Sequence, residues 1–174
     1  PVNKPLLSGN EKKYINECID TSWISSEGPF VKKFEKNLAK TVNRKFGIAV
    51  SNGTAALEIS IAALGISKGD EVIIPGHTYC ATAIPFGRHG ASIVWADIDP
   101  NTWVVTPQTI RDKITPKTKA IVVPTRYGEG LSRVVLETVY FGIPLLVSSN
   151  PGTEQVLPFD YKYFIISKNP SVLA

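Results

Sequence analysis

The sequence holds 174 residues, 43% hydrophobic and 20% charged, with a net charge of +4 from 19 basic and 15 acidic side chains. This is the composition of one folded domain with a substantial core and room for a small appendage, and it excludes a low-complexity chain. The mild basic excess is scattered, its Lys pairs fit solvated helix faces, and no apolar run reaches the ~18 residues of a spanning helix, so neither a nucleic-acid partner nor a membrane span is expected.

In chain order, "NEKKYINECID" (10–20) places Tyr14, Ile15, Cys18 and Ile19 at helical spacing. "TSWISSEGP" then reads as a loop, and "FVKKFEKNLAKTV" resumes helical spacing at Phe30, Phe34, Leu38 and Val42. "FGIAVS" (46–51) reads as a short buried strand, and "NGTAALEISIAALG" as a mostly apolar helix ending at Gly65. "EVIIP" is a predicted strand, "TYCATAIPFGRHG" holds a helix and its exit, and "SIVWADI" is a strand. "TPQTIRDKI" is a helix with Thr106 as its cap, and "KAIVVP" is a strand. Beyond residue 124, "EGLSRVVLETVYFG" reads as a helix closed by Gly142, "IPLLVSS" as a strand and "KYFIIS" as a last strand. Strands that alternate with helices in this way predict an α/β fold, a parallel sheet with flanking helices.

The two cysteines, Cys18 and Cys80, share no metal-type spacing. Both are expected reduced, as small buried side chains, and no metal site is expected. A leader pattern is absent and the cytoplasm is the expected compartment. The sequence contains no Met, so its natural start is expected to be processed, trimmed or not included.

"AVSNGTAALE" puts Gly53 and Thr54 at a strand-to-helix step. At the carboxyl edge of a parallel sheet, free N–H groups and the helix dipole favour a phosphate there. Taken alone, the turn is equally well explained by capping. Tyr79, taken alone, reads as a core aromatic with a hydrogen-bonded hydroxyl.

Five segments change the balance: "LSGNEKKYINECIDTSWISSEGPFVKKFEKNLA", "SNGTAAL", "GDEVIIPGHTYCATA", "VWADIDPNTW" and "ITPKTKAIVVP". In this order and spacing they resemble the sugar aminotransferases of the DegT/DnrJ/StrS family over residues 1 to about 124. The resemblance implies the amino-terminal half of a type I aminotransferase large domain with pyridoxal phosphate as cofactor. It implies transfer of an amino group, usually from glutamate, to a keto sugar on a nucleotide, and a homodimer. It assigns Gly53 and Thr54 to the cofactor phosphate and Tyr79 to stacking on the pyridine ring. It also makes His77 a structural neighbour, puts Ser26 to Pro29 near the sugar-nucleotide entrance, and gives Asp97 and Asp99 to a turn.

The same resemblance requires a lysine that forms a Schiff base with the cofactor and a carboxylate beside the pyridine nitrogen. By pattern Ser148 stands near the carboxylate's place. Lys119 begins its strand, at the wrong edge of the sheet, and Lys162 and Lys168 lie in a tail without the family motif. No catalytic residue is therefore assigned.

From about Tyr127, "YGEGLSRVVLETVYFGIPLLVSSNPGTEQVL" resembles the donor-binding part of family 4 glycosyltransferases. Their mark is a pair of Glu with seven residues between, here Glu129 and Glu137. On a helix such a pair lies about 12 Å apart and about 80° around the axis, so the two carboxylates suit opposite ends of a nucleotide sugar. The null alternative is a surface helix with unrelated acids. The expected organisation is thus a partial aminotransferase domain over 1–124 continued by a β-α-β-like glycosyltransferase segment over 125–174. Three outcomes follow: an inactive enzyme remnant from polysaccharide biosynthesis, a sugar-nucleotide-binding module, or a fusion product with no role.

Overall fold

The computed structural model describes residues 7–41, 44–123, 142–148 and 163–166, with Ser148 and the last stretch as backbone alone. The chain divides into two compact units, Pro1–Ala49 with Asn169–Ala174, and Val50–Lys168.

The first unit carries helices α1 (Glu11–Asp20) and α2 (Pro29–Thr41). At the start of α1, the Gly9 N–H donates to Glu11 Oε2 at 2.9 Å; at its end, the Thr21 hydroxyl donates to the Glu17 carbonyl at 2.6 Å. Pro29 opens α2, where a missing N–H costs nothing. The Tyr14 and Phe30 rings meet at 5.0 Å, and Lys33 Nζ stands 5.3 Å from the Tyr14 ring. Residues 46–50 do not form the expected strand. Phe46 and Ile48 are 75% and 67% exposed. The Ala49 N–H donates instead to Glu35 Oε1 of α2 at 2.9 Å, and Gly47 lies so close to the Glu35 carbonyl that a side chain would collide with it. The segment is tied to a helix rather than to a neighbouring strand.

The second unit holds a five-stranded, all-parallel sheet. Its strands are β1 (Glu71–Pro75), β2 (Ser92–Ala96), β3 (Thr118–Val123), β4 (Leu145–Ser148) and β5 (Tyr163–Ile166), in the order β2-β1-β3-β4-β5. The central strands are continuous apolar runs, as strands buried on both faces must be. Their pleat sends Val72, Ile74, Ala120, Val122 and Leu146 to one face, where they pack with Leu57, Ile61 and Phe86. Ile73, Ile121, Val123, Leu145 and Val147 go to the other, with Ile110.

Helices α3 (Gly53–Leu64) and α4 (Ile84–Arg88) supply the first cover; α5 (Pro107–Arg111) supplies the second. Gly65 ends α3 in the left-handed conformation, φ 65°, where its lack of Cβ removes the strain. Thr106 and Thr109 cap α5 reciprocally, as the sequence leads one to expect of Thr106. The parallel sheet with helices on both faces is the expected architecture. The predicted helix between Glu129 and Phe141 lies outside the described residues. No helix among the described residues is long and apolar enough to cross a membrane.

Candidate functional site

The strand order locates the rim of interest. From β1 the chain crosses to β2 on one side, then returns to β3 on the other. The reversal opens a crevice beyond the carboxyl ends of β1 and β3, where ligands bind in open α/β sheets. Helix α3 runs back along the sheet and enters β1 through the turn at Ser67–Asp70, closed by Asp70 N–H to the Ser67 carbonyl at 3.1 Å. Twelve residues of helix cover about 18 Å and five of strand about 16 Å. The start of α3 therefore comes level with the carboxyl ends of the strands.

At that start the first turn is half satisfied. Asn52 is the cap: its Oδ1 accepts from the Ala55 N–H at 2.9 Å, and its carbonyl accepts from the Ala56 N–H at 3.1 Å. The N–H groups of Gly53 and Thr54 donate to no acceptor among the described residues. A Cβ built on Gly53 meets nothing within 4 Å. Two donors at a positive helix end, without an acceptor or a close neighbour among the described residues, fit a phosphate. The cap itself, Asn52, was not singled out from the sequence, although Asn before an apolar helix is the usual signal.

The loop leaving β1 carries the second group. Gly76 N–H donates to the Ala96 carbonyl at 2.8 Å, tying the ends of β1 and β2 together. Tyr79 then precedes a 3₁₀ turn, Cys80–Thr82, that lies against α3. The turn is held by the Thr82 N–H on the Tyr79 carbonyl at 2.8 Å and by the Thr78 and Thr82 hydroxyls 3.0 Å apart. Tyr79 is 77% exposed, so the alternative of a core aromatic is wrong. Cys80 is exposed as well, contrary to the expectation of a buried thiol; it opens a turn on the rim, where nothing covers it.

Asp97 and Asp99 shape a turn, as expected. Asp99 Oδ1 accepts from the Asn101 N–H at 2.9 Å, the Thr102 N–H at 2.8 Å and the Thr102 hydroxyl at 3.1 Å. These bonds, that from the Thr102 N–H foremost, hold the Asp99 carboxyl below the usual carboxylate range. The turn ends at Trp103, whose ring meets that of His77 edge-on at 5.3 Å and 74°. Neither Trp103 nor this pairing was foreseen from the sequence.

Ser148 closes β4, on the carboxyl side, and Lys119 is the second residue of β3, at the amino end. Glu129 and Glu137 lie outside the described residues, as do Lys162 and Lys168.

The sequence profile of the DegT/DnrJ/EryC1/StrS aminotransferases matches residues 5–135. The chain belongs to this family. The match runs past Pro124 and takes in Glu129, so it does not end at the boundary expected near residue 124; Glu137 lies beyond it.

Among family members, GDP-perosamine synthase of Escherichia coli O157:H7 is 46% identical over 128 residues, which is 74% of this chain and 35% of that protein. The chain thus spans about a third of the length of the curated relatives it matches. Among solved structures, GDP-4-keto-6-deoxy-D-mannose-3-dehydratase of E. coli, with bound hydrated pyridoxal phosphate, superposes with a TM-score of 0.73 at 28% identity, covering 87% of this chain and 41% of that one. NtdA of Bacillus subtilis, with bound pyridoxamine phosphate, gives 0.71 at 28% identity, covering 84% and 35%. Pyridoxal phosphate and its amine are thus the cofactors carried by members of this fold family.

Proposed function

We propose that this chain forms the phosphate-holding part of a pyridoxal-phosphate enzyme acting on a keto sugar carried by a nucleotide, within surface polysaccharide biosynthesis. The amino donor is an amino acid such as glutamate, and the working partner is a second copy of the chain. The observation that carries the reading is the open turn at Gly53, with two N–H donors that have no acceptor among the described residues, together with an exposed Tyr79 before a turn that packs on α3. The names of relatives, GDP-perosamine synthase and a spore coat polysaccharide biosynthesis protein among them, support the substrate class.

When bound, pyridoxal phosphate supplies a ring that withdraws electrons from the carbon bearing the amino group. The N–H groups of Gly53 and Thr54, with the Thr54 hydroxyl, would hold its phosphate, with the Asn52 cap keeping them in register. Tyr79 would stack on the ring and exclude water from that face. At Ser148 a hydroxyl replaces the acid that would keep the ring nitrogen protonated. Lys119, at the far end of β3, cannot reach the rim. On these grounds the 174 residues alone hold cofactor without transferring an amino group.

Titration with pyridoxamine 5′-phosphate tests this. Two bonds to a charged phosphate predict binding at least roughly tenfold tighter than that of pyridoxamine. Tyr79→Ala should weaken the phosphate form roughly fivefold. Equal affinity for both ligands sinks the phosphate assignment. Borohydride reduction with pyridoxal phosphate should give no single stoichiometric lysine adduct; such an adduct, together with amino transfer, overturns the inactivity.

A second reading takes residues 125–174 as a glycosyltransferase-like segment that holds a nucleotide sugar between Glu129 and Glu137. Their spacing and "GIPLLVSSNPGTEQVL" are its support. Calorimetry with UDP- and GDP-hexoses decides it: heat in the parent that is lost in Glu137→Ala is expected, and identical traces end it.

A further inference from the structure

Trp103 stands in the left-handed backbone region at φ 61°, as only Ser22 does among the other described non-glycine residues. For a bulky side chain this conformation is strained, and it persists only where the surroundings enforce it. Here they do. The Trp103 N–H donates to the Asp99 carbonyl at 2.8 Å, and the Asp99 N–H donates to the Val104 carbonyl at 2.9 Å. The Asp99 carboxylate gathers the three bonds from Asn101 and Thr102 between them. The turn is fully closed, yet it leaves Trp103 62% exposed, so burying an indole is not its purpose. What the strain achieves is placement: the indole comes edge-on to His77, two residues before Tyr79.

Among the described residues, the loop from Gly76 to Tyr79 is anchored by Gly76 to β2, by Thr78 to Thr82 and by the Tyr79 carbonyl to the Thr82 N–H. His77, exposed between those anchors, has the Trp103 ring as its neighbour. We propose that Trp103 is a positioning residue: its ring, aimed by a strained turn, fixes His77 and with it the direction in which Tyr79 leaves β1. Its consequence for cofactor rests on the stacking role given to Tyr79 above; the ordering of the loop does not.

The test uses the 174-residue chain carrying Trp103→Gly or Trp103→Phe. Glycine removes the ring and also the backbone strain, so the thermal midpoint should stay or rise. Amide exchange at residues 77–82, without ligand, should nevertheless quicken roughly fivefold, while that of β1 and β3 is unchanged. Phenylalanine keeps an edge contact and should restore slow exchange. A merely structural Trp103 would move stability and loop order together. Unchanged exchange at 77–82 in Trp103→Gly overturns the proposal whatever the ligand does. Pyridoxamine phosphate binding is the second readout, expected to weaken roughly threefold in Trp103→Gly and recover in Trp103→Phe. If exchange responds as stated but Tyr79→Ala binds like the parent, the positioning stands and the stacking role of Tyr79 falls.

Discussion

Asp99 shows how much one exposed side chain can organise. Its carboxylate accepts three bonds from the next few residues. The sequence "DIDPNTW" announced this, because Asp before Pro and Asn habitually folds back on its own backbone. Its pH dependence has a definite sign. The folded carboxyl is held below its ordinary value, so folding favours the charged form. The contribution is complete above the unfolded carboxyl pKa of about 3.9 and is lost as pH falls through the lower folded value. Asp99→Asn should therefore lower the denaturant midpoint at neutral pH, and the two chains should converge in acid. A gap that widens below about pH 3 would contradict the assignment. Trp103, by contrast, carried no signal of its own. A positive φ at Trp and an edge contact to His77 are products of two loops meeting, and no local pattern encodes such a meeting.

At the scale of elements, α3 joins folding to the phosphate holding proposed for it. Asn52→Ala removes the acceptor of the Ala55 N–H and should cost about 1 kcal/mol, read as a lower urea midpoint. Asn52→Asp separates the two roles. An aspartate caps as well and suits the helix dipole, so stability should hold. The same charge repels a phosphate, so pyridoxamine phosphate should bind more weakly while pyridoxamine does not. If both ligands respond alike, the helix start is not the phosphate's seat. The helices and strands of the second unit were legible because Gly, Pro and capping residues punctuate their apolar runs. "FGIAVS" was misread for the same reason: its composition suits a strand, but its Ala49 amide is taken by Glu35, far back in the sequence on α2. A strand is completed by a partner, and composition does not say whether the partner is there.

For the whole molecule, the family was legible from segments spread over two thirds of the chain, and the profile match bears it out. The seam near residue 124 was drawn from the letters after "KAIVVP", yet the match continues to residue 135 and the sheet continues through β4 and β5. The glycosyltransferase resemblance rests on the Glu129 and Glu137 spacing and on "GIPLLVSSNPGTEQVL", and a continuing parallel sheet, common to many α/β enzymes, does not decide it.

All five strands point the same way. Every segment that leaves a strand consequently emerges on one side, as spouts along a single gutter. The loop that carries Tyr79 leaves β1 from that side, and any segment that follows Val123 departs from the same side of β3. The scaffold decides where incoming residues arrive and is indifferent to what they are. A tail can thus be replaced with no break in the sheet and a complete change in the groups offered at that edge.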